Sequence, residues 1–119
     1  MTVTVVRANE YKVDEMPWGR LVWFVSAGQG SSETLTVGRC IIKPGMANPR
    51  HHHPNCDEVL TVLRGRIAHT IGGGEVVMEE GDTISVPSGI VHNARNIDDA
   101  DCVLQIVFSS AERKTVGET

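Results

Sequence analysis

Four residues of types that bind metals occur at spacings that can bring them together: His51, His53, Glu58 and His92. Side chains two positions apart on an extended strand project to the same side, so the first two histidines would converge. A turn at residues 54–57 would then return Glu58 beside them from the adjacent strand. Three imidazole nitrogens and one carboxylate suit iron, manganese, nickel, copper or zinc, whereas calcium and magnesium prefer oxygen ligands. We therefore predict that these four residues bind one divalent transition metal.

Three nearby residues are less clear candidates for chemistry. His52 has the opposite parity to the two candidate ligands beside it, so we expect it to point outward. Cys56 lies in the turn before Glu58, where a structural role is favoured over that of a nucleophile or fifth ligand. His69 is isolated on a predicted strand, which favours a structural histidine. If its side chain faces inward, His69 would contact a metal-ligating residue or, like Glu58, become a candidate acid or base.

Short strand-like segments follow one another along the chain, with glycine and proline between them. No segment has a helical period over eleven or more residues, and this pattern predicts an all-β sandwich or barrel. Residues 9–17 are polar and are interpreted as a connection, and residues 27–33 as a flexible connection or lid. The polar tail, 109–119, is expected to fray or to cover a partner subunit. The predicted strands are 2–5, 21–25, 34–43, 58–63, 67–71, 75–78, 83–86, 91–96 and 103–108.

Alternation within the predicted strands indicates which side chains face the interior. The inward set is mostly apolar, and we predict that it lines a substrate pocket next to the metal. Its members are Cys40, Ile42, Leu60, Val62, Leu104 and Ile106.

Two segments resemble the signatures of the cupin superfamily, at residues 45–65 and 81–96. The matching positions are Gly45, His51, His53, Glu58 and Gly65 in the first, and Gly81, Pro87, Gly89, His92 and Asn96 in the second. Ten residue types at the correct spacings are a specific match, since each type occurs at roughly one position in twenty. The resemblance implies a jelly-roll barrel, or double-stranded β-helix, formed by one cupin domain over residues 1–119. It also implies that His51, His53, Glu58 and His92 are the metal ligands.

The composition of the chain indicates which classes of binding partner and which cellular compartment to expect. The chain has 119 residues and a formal charge of −4 with mixed charges, so we expect neither nucleic acid nor membrane as a partner. The apolar runs are too short to span a bilayer, and no signal-peptide pattern opens the chain. Three cysteines without CxxC spacing suit a reducing compartment, so we expect a cytoplasmic protein. Several strands are apolar on both parities, which predicts a homodimer, with residues 2–25 as a candidate interface.

Three functions are consistent with these residues. A dioxygenase-type enzyme acting on a small oxygenated molecule is slightly favoured, because a nitrogen and carboxylate ligand set adjoins an apolar pocket. A redox-neutral isomerase, cyclase or lyase would use the metal as a Lewis acid, with Glu58, His69 or a bound hydroxide moving the proton. The third is a protein that only binds a small molecule or a metal, since fold does not dictate function.

Overall fold

The computed structural model describes residues 3–118, and the regular elements in that range are eleven β-strands and one short 3-10 turn. Within residues 3–118, no helix has the length and apolar character needed to cross a membrane. In chain order the elements are the 3-10 turn Ala8–Glu10, β1 (Lys12–Met16), β2 (Gly19–Val25), β3 (Thr36–Ile42), β4 (His51–His52), β5 (Glu58–Arg64), β6 (Ile67–Ile71), β7 (Gly74–Met78), β8 (Thr83–Val86), β9 (His92–Asn96), β10 (Cys102–Phe108) and β11 (Val116–Gly117).

The strands form two antiparallel sheets that face each other. The larger sheet has the order β1-β2-β3-β10-β5-β8, and the smaller has the order β11-β4-β9-β6-β7. Neighbours in space are often distant in the chain, as where β10 pairs with both β3 and β5. This arrangement confirms the predicted all-β jelly roll.

The core between the sheets is built by strict alternation along the central strands. In β10, four residues are buried and the three between them are only partly buried; β3 alternates in the same way. Each fully buried aliphatic side chain contributes roughly 1.5–3 kcal/mol of transfer free energy. The buried members of β10 are Cys102, Leu104, Ile106 and Phe108.

Two glycines are required by close approach of other groups. A Cβ on Gly38 in β3 would lie 2.7 Å from Trp23 Cε3, so the bare backbone makes room for the indole. Gly65 has a φ of +94°, and a Cβ there would lie 2.7 Å from Cys102 Sγ. Glycine adopts this left-handed backbone at little cost. Gly65 therefore allows the tight turn between β5 and β6 to pack on the core.

The N-terminal prediction was wrong. Residues 3–7 form no strand, and residue 2 lies outside the described residues. The first strand is instead β1, inside the segment interpreted as a connection. It pairs with β2 as a hairpin, from Lys12 opposite Trp23 to Met16 opposite Gly19. An edge strand with its outer side in solvent tolerates polar residues. Because β1 is such a strand, its sequence lacks the apolar alternation by which strands were predicted.

The expectation that the tail frays is wrong, while its covering of a partner subunit stays a prediction. Residues Val116–Gly117 form β11, which pairs with β4, so that Val116 lies opposite His52 and Gly117 opposite His51. The exposed Arg50 side chain forms an ion pair with Glu118, with 3.0 Å between Nε and Oε1. The tail is therefore fastened to the segment that carries the first candidate ligands.

Candidate metal centre

Both sheets contribute to the candidate metal centre. His51 is the first residue of β4 and lies directly opposite His92, the first residue of β9. His53 follows β4 immediately. Glu58 is the first residue of β5 in the larger sheet, after the predicted turn. The four residues meet because strand ends from facing sheets come together at one end of the fold.

The four side chains present their donor atoms to a single point. One nitrogen from each histidine and one oxygen of Glu58 all lie within 4.8 Å of one another. Glu58 Oε1 is 3.1 Å from His53 Nε2 and 3.3 Å from His92 Nε2. His53, Glu58 and His92 are each at most 4% exposed, and His51 is partly buried. The structure thus contains a His51/His53/Glu58/His92 group able to bind a metal ion.

Each of the three histidines uses its Nδ1 for a contact outside the centre. His51 Nδ1 donates to Pro49 O at 2.7 Å, and His53 Nδ1 donates to Lys114 O at 2.8 Å. His92 Nδ1 lies 3.2 Å from His69 Nε2. A proton held on Nδ1 leaves the Nε2 lone pair free, which is the tautomer that a metal ligand needs.

Buried atoms without partners test whether a cation fits this group. His53 Nε2, Glu58 Oε1 and His92 Nε2 are all buried, and none has a hydrogen-bond partner among residues 3–118. The contacts of Glu58 with the two imidazoles are close but lack hydrogen-bond geometry. Unsatisfied buried polar atoms normally cost about 1–3 kcal/mol each. A bound divalent ion would satisfy all three atoms, so the residues fit a metal.

The protonation states also favour metal binding. Burial lowers the pKa of His51 to about 4, so this imidazole is neutral at pH 7. Burial alone would raise the pKa of Glu58, but the Nε2 atoms of His53 and His92 outweigh burial when they carry a proton, and they lower the pKa of Glu58 to about 2. Metal binding therefore does not need to displace a proton from either group at neutral pH.

A cavity of about 200 Å³ adjoins the four residues. Its size lies below the roughly 300–1,000 Å³ of most ligand pockets, which limits the occupant to a small molecule. Of the six residues predicted to line the pocket, four do so: Cys40, Leu60, Leu104 and Ile106.

The structure places Ile42 and Val62 away from the cavity lining. Both are completely buried in the core. Val62 is four residues beyond Glu58 on β5, about 13 Å along the strand. At that depth the interior is filled by side chains. Inward parity identified the buried faces correctly, but it does not indicate where along a strand the cavity ends.

The other residues singled out in the sequence take clear positions. His52 is partly buried outside the cavity, and Cys56 is 4% exposed and free. His69 is completely buried, lines the cavity and lies against His92. Burial lowers the pKa of His69 to about 4.

Sequence reasoning missed several lining residues. Trp18 and Trp23 line the cavity and also pack in or against the hydrophobic core. Arg113 and Thr115 in the tail line it as well, although no motif marks them. Arg113, Thr115 and Gly117 reach the cavity at every second position, but residues 113–117 show no alternation of apolar and polar types that would mark them in the sequence. The tail therefore completes the site within the same chain.

Replacing His69 by phenylalanine should weaken metal binding by roughly 10- to 100-fold, the usual effect of removing a partner of a ligating histidine. Phenylalanine keeps the ring but cannot accept the Nδ1 hydrogen of His92. Zinc affinity can be measured by competition with a chromogenic chelator, with His52→Gln as the control. Equal affinities in His69→Phe and the control would contradict this role for His69.

The sequence of this chain is also similar to known proteins. The family model described as Cupin domain matches residues 38–108, a range that includes all four candidate ligands. The chain belongs to the cupin family. The resemblance recognised from the two signatures is therefore confirmed.

Curated proteins similar to this cupin are germin-like proteins of plants. It is 35% identical over 75 residues to germin-like protein subfamily 3 member 2 of Arabidopsis thaliana, an overlap of 59% of this chain and 33% of the relative. It is 32% identical over 81 residues to germin-like protein 3-8 of Oryza sativa subsp. japonica, covering 64% and 36% of the two chains. This cupin thus spans about a third of the length of these relatives.

Solved structures similar to this cupin include two oxalate enzymes. The formate complex of Lactobacillus farciminis oxalate decarboxylase matches with a TM-score of 0.84 at 19% identity, over 92% of this chain and 34% of that chain. An oxalate oxidase matches with a TM-score of 0.76 at 22% identity, over 89% and 59%. At these identities the likeness shows the fold alone.

Proposed function

We propose that this cupin is a metal-dependent enzyme that acts on a small oxygenated organic molecule, with dioxygenase-type chemistry favoured. One observation carries the proposal: the unsatisfied donor atoms of His53, Glu58 and His92 adjoin a small cavity with mostly apolar walls. Four protein ligands leave open positions in an octahedral metal site, and apolar walls exclude water. A cytoplasmic homodimer remains part of this proposal.

The residues of the chain would share the work as follows. His51, His53, Glu58 and His92 would hold a divalent ion, which supplies Lewis acidity and, if redox-active, electron transfer. Trp18, Trp23 and Leu104 would fix the apolar part of a substrate and keep out bulk water. Lys114 O would hold the proton of His53 on Nδ1, which leaves Nε2 free to face the metal.

Oxygen uptake tests the proposal directly. Metal-free protein would be loaded with iron, manganese, nickel, copper or zinc and assayed with diketones, enediols and catechol-like compounds. We expect uptake with at least one redox-active metal and substrate, and none with zinc or with the His92→Ala variant. Absence of uptake with every combination would overturn dioxygenase chemistry.

A redox-neutral isomerase or lyase is the second candidate. Such an enzyme needs a group that moves a proton, and His69 could be that group. If His92 holds its proton on Nδ1, then His69 accepts at Nε2 and carries its own proton on Nδ1. That Nδ1 is buried, has no hydrogen-bond partner among the described residues, and belongs to a residue that lines the cavity. The neighbours named oxalate decarboxylase and oxalate oxidase are compatible with either class. Turnover that persists without oxygen in the zinc form would favour this candidate.

A further inference from the structure

Arg113 places a positive charge in the cavity wall, and no carboxylate of the described part of the chain forms an ion pair with it. Its guanidinium carbon lies 4.2 Å from the ring centroid of Trp23 and 5.2 Å from that of Phe108. Both rings line the cavity, and the Phe108 ring also packs edge-on against His53 at 4.9 Å. The guanidinium therefore lies one aromatic ring away from a candidate metal ligand.

The hydrogen-bonding capacity of Arg113 is mostly unused. A guanidinium has five N–H donors, and the hydrogen bond found for it is the one from Nη1 to Thr115 Oγ1, at 2.6 Å. Within residues 3–118, no carboxylate oxygen lies within 4.0 Å of its nitrogens. Aromatic rings pack near the guanidinium, while its N–H groups remain available to a planar acceptor.

The backbone around Arg113 is held in place from both sides. The Asn55 side chain donates to Glu112 O at 2.9 Å and accepts from Lys114 N at 2.9 Å. Lys114 O in turn accepts the Nδ1 hydrogen of His53. Asn55 belongs to the turn before Glu58, so this turn also fixes the backbone that carries Arg113. A backbone that is already held in place lowers the entropic cost of binding a ligand.

The charges around the cavity indicate which kind of ligand it would bind. Glu58 is the one carboxylate among the described residues that line it. A divalent ion bound by Glu58 leaves one net positive charge, and Arg113 adds a second. Arg113 is only partly buried, but a positive charge beside apolar walls is solvated less well than in water. A small anion entering the cavity would offset both.

We propose that Arg113 binds the carboxylate of the substrate, so that the substrate class is a small organic acid with a second oxygen donor for the metal. This inference rests on the proposed function and narrows it from oxygenated molecules to anionic ones. Carboxylate matches the paired N–H groups of a guanidinium, and such charge-assisted hydrogen bonds are about twice as strong as neutral ones.

Binding to the zinc-loaded protein tests the proposal. Glycolate, lactate, pyruvate and oxalate would be titrated and followed by amide chemical shifts, with propane-1,2-diol as the neutral counterpart of lactate. We expect the acids to bind and the diol to bind at least about tenfold more weakly. Arg113→Met should lower acid affinity about 10- to 100-fold, and Arg113→Lys should lower it less.

Arg39→Met is the matched control, because Arg39 also stacks on a ring, 5.3 Å from the Phe24 centroid, but lies outside the cavity lining. Metal content and melting temperature confirm that each variant is folded. Failure of all four acids to bind, or equal affinities in wild type and Arg113→Met, would overturn the proposal. Acids that bind through Arg113 without any oxygen uptake would overturn only dioxygenase chemistry. Uptake with neutral substrates that survives in Arg113→Met would overturn only the anion site.

Discussion

Replacing His92 by alanine should abolish stoichiometric metal binding, and replacing Glu58 by glutamine should do the same. His92→Ala removes one of four donors, and Glu58→Gln replaces the carboxylate with a neutral, weaker amide oxygen with almost no change in shape. We expect affinity to fall by at least about 100-fold, the upper end of the effect of removing only a partner of a ligand. Metal analysis of protein purified without an affinity tag, after dialysis against a metal buffer, measures the loss.

His52→Ala is the matched control for these variants, because His52 lies next to a candidate ligand but outside the cavity lining. We expect it to retain one metal ion per chain. Circular dichroism and thermal unfolding show whether His92→Ala still folds. Retention of stoichiometric metal in both His51→Ala and His92→Ala would overturn the assignment of the centre.

The metal-free protein should lose stability as the pH falls from about 6.5 to about 4. The pKa values of His51 and His69 are about 4 in the fold and about 6.5 when unperturbed, so the unfolded chain binds protons first. Each group accounts for on the order of 2–3 kcal/mol. Glu58 extends the loss from about pH 4.5 to about pH 2, since its pKa is lowered from 4.5 to about 2. Urea unfolding at a series of pH values measures the change.

The variant His69→Phe isolates one part of this pH dependence. With one fewer histidine to protonate in the unfolded chain, its stability should fall less steeply between pH 6.5 and 4. The expected difference in slope approaches about 1.4 kcal/mol per pH unit for one proton. Identical slopes in wild type and variant would show that protonation of His69 does not contribute to the loss of stability at low pH. The metal-bound protein should show a steeper acid loss than the metal-free one, because protons compete for the ligands.

Prediction from sequence worked best where local rules act. Residues 67–71 and 83–86 were assigned their strand bounds correctly, and β3, β5, β9 and β10 were placed to within two residues. Each of these strands has glycine, proline or another turn signal near its ends and a buried face with a clear period of two. Three strands are absent from the predicted list. Two of them, β1 and β11, lie at sheet edges, where one side needs no apolar residues, and the third, β4, has only two residues.

By itself, the sequence determined the all-β class, the family and the four-residue group of His51, His53, Glu58 and His92. These follow from spacing within short segments, since side-chain parity and turn chemistry are local properties. Tertiary structure alone decided that His69 contacts His92, that the cavity excludes Ile42 and Val62, and that the tail brings Arg113 to its wall. His69 and His92 are 23 positions apart, and Lys114 and His53 are 61 positions apart. Contacts between such distant residues depend on how the sheets pack, which the local pattern of the sequence does not record.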